Sequence, residues 1–150
     1  NWTDGGALPT ATTSMGAGGT LTAAIAFGGR IPPDTLTGNT YEYDGSSWTT
    51  SPGSLNTSRF GLGGCGTQTS ALAFGGCPGA PAAGTGSTEG YDGTSWSTRP
   101  SMSTARGYLA GAGSQTLALA FGKYPTGAET EEFTGETTSL NVRQLTTSVV

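Results

Sequence analysis

Three copies of one pattern, about 47 residues apart, constrain this chain of 150 residues more than any other feature of its sequence. Tryptophan recurs with spacings of 46 and 48 residues, and a short apolar segment that ends in Phe-Gly recurs every 47 residues. These residues are Trp2, Trp48, Trp96, Phe27, Phe74 and Phe121. A period of this size indicates stacked supersecondary units that bury a core between them.

A third recurring segment carries an aromatic residue, and a fourth, rich in glycine, lies between each tryptophan and its Phe-Gly segment. The aromatic positions are Tyr43, Tyr91 and Phe133. Four short segments in about 47 residues predict four strands per unit, with a turn signal roughly every 10 residues. We therefore predict one domain, 1–150, with repeats 1–47, 48–95 and 96–138 and a strand-like tail, 139–150.

The residue types favour an ordered β protein. Consecutive apolar residues, as in Ile25-Ala26-Phe27, are typical of a strand that is buried on both faces. The doublet Gly28-Gly29 suits backbone with positive φ, and Asp44-Gly45 is a tight-turn signal. Glycine makes up 27 of the 150 residues, so long helices are not expected.

Arg59, the glycine pairs, Tyr91 and Trp96 together resemble the kelch repeat, and Arg106 stands at the same point of the third copy. The resemblance implies an all-β fold of kelch-type β-propeller blades, three four-stranded antiparallel repeats. More narrowly, the chain is similar to the Gly/Thr-rich kelch-like arrays of tailed, notably marine, phage structural proteins. It departs from the kelch pattern at Met15, in the place of an arginine, at Lys123, in the place of a glycine, and at Thr138, in the place of a fourth tryptophan.

Propellers have about four to eight blades, so three blades are not expected to close a ring alone. In one interpretation two or more chains pool their blades, two of them giving a six-bladed ring, with the strand 1–3 of one chain finishing the last blade of its neighbour. In another the chain is part of a longer array. A third interpretation is a different three-fold β arrangement, such as a prism or a compact domain in a fibre. The tail 139–150 is either a strand added to a neighbour or a frayed end.

Charge and composition argue against several classes of function. With a net charge of −4 and six Lys plus Arg, the chain lacks the basic surface that nucleic-acid binding needs. Its longest apolar stretch, 21–27, is far shorter than the roughly 20 residues that span a bilayer, so membrane insertion is not expected. There is no histidine, and we predict no catalytic residues, no metal and no cofactor. The carboxylates clustered near the end of the third repeat are interpreted as solvated: Glu129, Glu131, Glu132 and Glu136.

The two cysteines are predicted to remain separate buried thiols. A hairpin that turns near Thr67-Gln68 would place Cys65 opposite Ser70, and Cys77 would then lie on the order of 20 Å away. A disulfide needs Cα atoms within about 7 Å.

The repeated residues are predicted to have structural roles. Placement in every unit favours packing over sugar stacking for the tryptophans, and fixed links that donate to carbonyls for Arg59 and Arg106. Recognition is expected where the repeats differ, in loops that emerge on one face. The candidate recognition residues are Arg30, Pro33, Asp34, Asn39, Pro78, Pro81, Lys123 and Tyr124.

The leading functional hypothesis is a non-enzymatic virion structural protein, a capsid decoration or tail-fibre component. The alternative is a carbohydrate- or host-receptor-binding adhesin module that uses the variable loops. An enzyme is the weakest hypothesis, because no reactive constellation is evident. The expected partners are further copies of the chain or other virion proteins, with a surface glycan as a further possibility, and the expected location is a virion surface or the extracellular space.

Overall fold

A computed structural model of the chain describes residues 1–79 and 83–135, and the regular structure in those ranges is β-strand throughout. The strands are β1 Gly16–Thr20, β2 Ala23–Phe27, β3 Arg30–Ile31, β4 Thr35–Leu36, β5 Thr40–Tyr43, β6 Trp48–Thr50, β7 Gly63–Thr67, β8 Ser70–Phe74, β9 Thr88–Tyr91, β10 Trp96–Arg99, β11 Ala110–Gly113, β12 Ala118–Phe121 and β13 Thr130–Phe133. The described residues contain no helix that is long and apolar enough to cross a membrane.

The strands form three larger antiparallel sheets, which are offset from the predicted repeats because each tryptophan strand that opens a repeat joins the sheet of the preceding one. The first sheet has the order β1-β2-β5-β6, the second β10-β9-β8-β7, and the third β11-β12-β13, while β3 and β4 form a two-stranded ribbon. Trp48 and Trp96 begin the fourth strands of the first two sheets. The predicted place of Thr138 and the tail 139–150 lie outside the described residues. This arrangement is all-β and compatible with the blades of a β-propeller.

The second strand of each repeat lies in the interior of its sheet. Ile25 and Phe27 in β2 are fully buried, as are Ala71 and Ala73 in β8, which explains the run of consecutive apolar residues. The Gly-Gly pair that follows Phe27 has φ values of 66° and 102°, a backbone conformation that residues with a side chain rarely adopt. The glycine pairs therefore turn the chain sharply where the inner strands of the first two sheets end.

Asp44 organises the predicted turn before the fourth strand of the first sheet. Its carboxylate accepts hydrogen bonds of 2.8 Å from the backbone N–H groups of Ser46 and Ser47, and Gly45 has a φ of 96°. Asp92 makes the same two bonds one repeat later. These bonds hold the pKa of Asp44 at about 2, and the tight-turn prediction is confirmed.

The hydrophobic core lies between successive sheets. One buried cluster joins the first and second sheets and includes Ile25, Phe27, Tyr91 and Trp96. A second cluster joins the second and third sheets through Leu72, Phe74, Ala118 and Ala120, among others. Each sheet is thus covered by its neighbour, as stacked repeat units require.

Glycines on the first strand of each sheet make room for the repeated phenylalanines. A Cβ on Gly16 would lie 2.5 Å from the Phe27 ring, and one on Gly64 of the next sheet 2.6 Å from it. Phe74 fills the corresponding space over Gly63 and against Gly111. The rings are buried because no side chain stands in these positions.

Phe121 departs from the predicted equivalence of the three phenylalanines. It is 37% exposed, whereas Phe27 and Phe74 are buried. Its cross-strand partner is Ala110, where the other two sheets have a glycine. Phe27 and Phe74 also lie against a glycine of the following sheet, whereas no described sheet follows the third one to cover Phe121.

Two glutamines, 47 residues apart, connect each sheet to the one before it. The Gln68 side-chain amide donates to the carbonyls of Ala24 and Tyr43 in the first sheet, at 3.2 and 2.8 Å. Gln115 donates in the same way to Ala71 and Tyr91 in the second sheet, at 3.0 and 2.5 Å. The sequence reasoning missed these bridges, although their spacing equals the repeat.

Both cysteines are buried thiols, as predicted. The predicted register, however, was wrong: Cys65 lies opposite Leu72, not Ser70. The hairpin turns one residue later than expected, because Thr67 and Ser70 form its last pair.

We expect Gly63→Ala to destabilise the fold by about 1–3 kcal/mol, because the added methyl overlaps the buried Phe74 ring. Equilibrium unfolding in urea measures the change. Gly79→Ala is the matched control, since a Cβ there meets nothing within 4 Å. Equal stability of the two variants would contradict the proposed fit between ring and glycine.

Candidate recognition surface and the buried links beside it

Arg59 is fully buried and forms an ion pair with Glu89, which is 3% exposed. The guanidinium also donates to the Thr57 carbonyl at 3.2 Å, and the second carboxylate oxygen of Glu89 accepts the Asn56 N–H at 2.7 Å. Arg59 therefore fixes the loop before β7 to strand β9. A buried charge of this kind is stable only while it is paired.

Arg106 makes the corresponding link in the third repeat. It is buried, pairs with Glu131 on β13 and donates to the Glu129 carbonyl at 2.9 Å. Glu131 also accepts the Ser103 N–H at 2.7 Å and the Ser103 hydroxyl at 2.8 Å. The interpretation of Glu131 as a solvated carboxylate was wrong, because β13 turns it towards Arg106.

Hydrogen bonding shifts the pKa of Glu131. Burial acts to raise the pKa of this carboxyl, but the bonds from Ser103, Arg106 and Thr104 outweigh burial and lower it to about 2, from an ordinary 4.5. Donors that stabilise the charged form of a carboxylate always act in this direction. Glu131 is thus ionised over the whole neutral and mildly acidic range.

The first repeat replaces the arginine–glutamate link by a neutral one. Counting back 47 residues from Arg59 leads to Thr12, and its hydroxyl lies 3.4 Å from the Tyr41 hydroxyl on β5. The expectation that Met15 stands in the arginine's place was wrong. Since Tyr41 takes the glutamate's place, both members of the pair change together.

The three tryptophans, all predicted to pack, are not equivalent in the single chain. Trp96 is buried, and its indole N–H donates to the Thr40 hydroxyl at 2.9 Å. Trp48 is half-buried and packs on Tyr43 with ring centroids 5.1 Å apart. Trp2 is fully exposed, because no described strand lies beside it.

The aromatic residues of the third strands also differ in burial. Tyr91 is buried, its ring lies 5.0 Å from that of Trp96, and its hydroxyl bonds to Ser51 at 2.6 Å and to Glu42 at 2.8 Å. Tyr43 and Phe133 are half-buried. The aromatic position is thus best covered where a sheet lies on each side of it.

Most of the described loop residues predicted for recognition are accessible. Pro33, Asp34, Pro78 and Tyr124 are exposed, and Lys123 is half-buried. Asn39 differs: it is half-buried, and its side-chain amide donates to the Tyr41 hydroxyl at 3.3 Å, so it supports the loop from inside. Pro81 lies outside the described residues.

A row of four side chains crosses the starts of these loops, and we call it the aromatic row: Arg30, Phe60, Tyr108 and Tyr124. The Arg30 guanidinium lies 3.7 Å from the centre of the Phe60 ring, and Asp34 pairs with it at 2.6 Å. Phe60 meets Tyr108 edge to face at 5.6 Å, and Tyr108 meets Tyr124 at 5.5 Å. The two tyrosines are 43% and 57% exposed, so the row ends in an open aromatic surface.

The backbone beneath the row is strained in a repeated way. Ser14, Gly61 and Tyr108, each 47 residues apart, have φ values of 56°, 60° and 54°. The Gly61 N–H donates to the Ser14 carbonyl, and the Tyr108 N–H to the Gly61 carbonyl. Glycine adopts such a φ freely, whereas tyrosine does so at a cost. Of the row residues, sequence reasoning singled out Arg30 and Tyr124 but missed the buried Phe60 and the exposed Tyr108.

Within residues 1–79 and 83–135, no three His, Cys, Asp or Glu side chains group in a way that could hold a metal ion.

The fold and the surface together define an all-β repeat protein of blade-like antiparallel sheets. No protein-family model and no curated protein sequence matches the chain. A solved structure described as "Structure of YjhT" is similar to it, with a TM-score of 0.65 over 84% of this chain and 12% sequence identity. The chain spans 42% of the length of that solved chain. At this identity the likeness concerns the fold alone.

We expect Arg59→Met to lower the free energy of unfolding by about 3–5 kcal/mol, because it leaves the Glu89 carboxylate buried without its counter-charge. Asp34→Ala breaks the ion pair with Arg30 at the surface, and we expect a loss of at most about 1 kcal/mol. Denaturant unfolding of both variants compares them. Similar losses would mean that the Arg59 link is not a structural support.

We also expect Glu131 to make stability depend on pH. Its pKa is lower in the folded chain than its ordinary 4.5, so its contribution is complete above pH 4.5 and is lost as the pH falls towards 2. The difference in stability between wild type and Glu131→Gln should therefore shrink over that window. Thermal unfolding from pH 7 to pH 2 measures it, with the exposed neighbour variant Glu132→Gln as control. A difference that does not change with pH would refute this account.

Proposed function

We propose that this chain is a non-enzymatic structural module of a virion exterior, a capsid decoration or tail-fibre component, built from β-propeller blades. The observation that carries the proposal is the use of the repeated polar residues. Arg59, Arg106, Gln68 and Gln115 each bond to a neighbouring strand or sheet. The polar residues that recur in the chain thus form the hydrogen bonds and ion pairs that hold its strands and sheets together.

The contacts between sheets support the blade interpretation. Propeller blades are short antiparallel sheets that pack face to face around an axis. Here Phe27 of the first sheet meets Trp96 of the second at 4.8 Å, and Phe74 contacts the third sheet through Gly111. Phe27 also contacts Gly64 of the second sheet, and an offset of 47 residues relates this contact to that of Phe74 with Gly111, as it would in a ring.

Composition and resemblance support an exterior location. The chain has only six Lys plus Arg against ten Asp plus Glu, and its exposed turns are rich in Ser, Thr and Gly. Such a surface has few groups that bind nucleic acid or anionic lipid non-specifically. The similarity to kelch-like arrays of tailed-phage structural proteins supports a virion in particular.

The aromatic row favours a second candidate, binding of a carbohydrate on the host or cell surface. Tyr108 and Tyr124 are exposed neighbours whose rings lie 5.5 Å apart, and Arg30 and Asp34 supply a charged pair at the other end of the row. Exposed tyrosines combine a broad apolar face with a hydroxyl that donates and accepts hydrogen bonds. A sugar ring offers the matching apolar face and hydroxyls, and the two functions are compatible in one protein.

Quantitative mass spectrometry of purified particles from the source tests the structural role. We expect the chain at a fixed copy number relative to the major capsid or tail protein, and retained after high-salt washing. Absence from the particles, or a copy number that varies between preparations, would contradict the proposal.

A glycan array tests the binding role. We expect the double variant Tyr108→Gly, Tyr124→Ala to lose more than about tenfold in affinity, because both stacking faces are removed. Glycine at position 108 suits the local backbone, since Gly61 has nearly the same φ. Pro78→Ala, at an exposed loop residue outside the row, is the control. Unchanged binding by the double variant would exclude the row as the site.

A further inference from the structure

Two large apolar side chains near the first sheet are exposed to solvent. Trp2 is fully exposed, and Leu21, at the turn between β1 and β2, is 88% exposed. Each corresponds by the repeat to a residue that is held between sheets elsewhere: Trp2 to Trp96, and Leu21 to Gln68 and Gln115. Their exposure therefore raises the question of what they contact.

The residues that contact the Trp96 side chain form a site that we call its seat, and they show which contacts a tryptophan at this position makes. Its ring meets Phe27 edge to face at 4.8 Å and lies 5.0 Å from Tyr91, its cross-strand partner. Its indole N–H donates to the Thr40 hydroxyl at 2.9 Å. The seat thus consists of a phenylalanine and a threonine from the preceding sheet and an aromatic residue from the tryptophan's own sheet.

The same seat exists one repeat later, and there it is a cavity of about 210 Å³. Phe74 and Thr88, the counterparts of Phe27 and Thr40, line it from the second sheet. Phe133, the counterpart of Tyr91, lines it from the third. Trp48 and Trp96 already belong to sheets, whereas Trp2 is exposed. The cavity therefore matches the side chain that Trp2 offers.

A second cavity, about 320 Å³, lies on the third sheet where the next glutamine bridge would be. Gln68 bonds to Ala24 and Tyr43, and Gln115 to Ala71 and Tyr91. In the third sheet, Ala118 corresponds to Ala24 and Ala71, and Phe133 corresponds to Tyr43 and Tyr91. These two residues line the cavity together with Leu117 and Leu119. Mostly apolar side chains surround it, so it suits a leucine better than an amide. Leu21 is the residue that stands at the glutamine position of the first repeat.

We infer that the third sheet is a docking surface for a second copy of this chain, whose Trp2 and Leu21 enter these two cavities. The Trp2 indole N–H donates to the Thr88 hydroxyl, and the ring packs between Phe74 and Phe133. The inference goes beyond the proposed function, because it holds whether or not the assembly belongs to a virion or binds a glycan.

Strand pairing agrees with this docking. Trp48 lies opposite Tyr43, and Trp96 opposite Tyr91, on the outer edge of their sheets. On β13 the equivalent position is Phe133, and no described strand pairs with that edge. A strand that begins at Trp2 of the second copy would meet Phe133 in the same register. Added main-chain hydrogen bonds at an open sheet edge are a common mode of association.

Photo-crosslinking tests the contact directly in the full chain. Trp2 is replaced by p-benzoylphenylalanine, and the labelled protein is mixed with wild type carrying a heavy isotope. We expect crosslinks to Met102, Phe133 or Thr134, which line the first cavity, on the heavy partner. Crosslinks confined to one chain, or to residues away from the cavity, would overturn the inference.

Association measured by analytical ultracentrifugation gives the energetic test. We expect wild type to associate, Trp2→Ala to weaken association at least about 30-fold and Leu21→Ala to weaken it less. Both residues are exposed in the single chain, so neither change should unfold it. A wild type that stays monomeric, or a Trp2→Ala variant that associates normally, would refute the inference.

A matched pair of buried threonines separates the docking contact from general stability. Thr88→Val removes the inferred acceptor for Trp2 and should weaken association about tenfold. Thr40→Val removes the acceptor of Trp96 within one chain, so it should lower the unfolding midpoint and leave association unchanged. Equal effects of the two substitutions on association would contradict a specific seat for Trp2, as would any effect on association of the exposed control Pro78→Ala.

Discussion

Burial of aromatic rings between neighbouring sheets is the interaction on which the rest of this structure depends. Each sheet has three or four short strands rich in glycine, too few side chains to form a core alone. Phe27 and Phe74 supply the missing volume by lying over glycine on their own sheet and against glycine on the next. The glycines therefore contribute because they lack a Cβ, which lets adjacent backbones come close enough for one ring to contact both. On the third sheet, which no described sheet follows, Phe121 is partly exposed.

Burial between the sheets also constrains the charged residues. A buried arginine requires a carboxylate within hydrogen-bond reach, and Glu89 and Glu131 meet this requirement for Arg59 and Arg106. In the first repeat both partners are neutral, Thr12 and Tyr41, so no buried charge needs compensation. The link is conserved across the repeats as a connection between the loop before the first strand and the third strand, while its chemistry changes.

Features that depend on local sequence could be predicted, and features that depend on neighbouring sheets could not. The strands, the Asp44 turn and the glycine pairs follow from residues close together in the chain. The acid partner of each arginine does not, because the separation from arginine to glutamate is 30 residues in one repeat and 25 in the next. The repeat pattern treats every copy alike and so predicts the same packing for all three tryptophans, yet Trp2 is exposed in the single chain. The covering of each copy depends on which sheet stands beside it.

The strained backbone under the aromatic row connects recognition to assembly. A hydrogen bond runs from Gly61 N–H to the Ser14 carbonyl and another from Tyr108 N–H to the Gly61 carbonyl, so each repeat donates to the one before it. In the assembly inferred above, the next donor in this series is Ser14 of the second copy, and the next acceptor is the Tyr108 carbonyl. Docking of a second copy would then extend the row past Tyr124 and hold Tyr108 in its unfavourable φ from both sides. A surface that is preorganised by assembly in this way loses less conformational entropy when it binds a ligand.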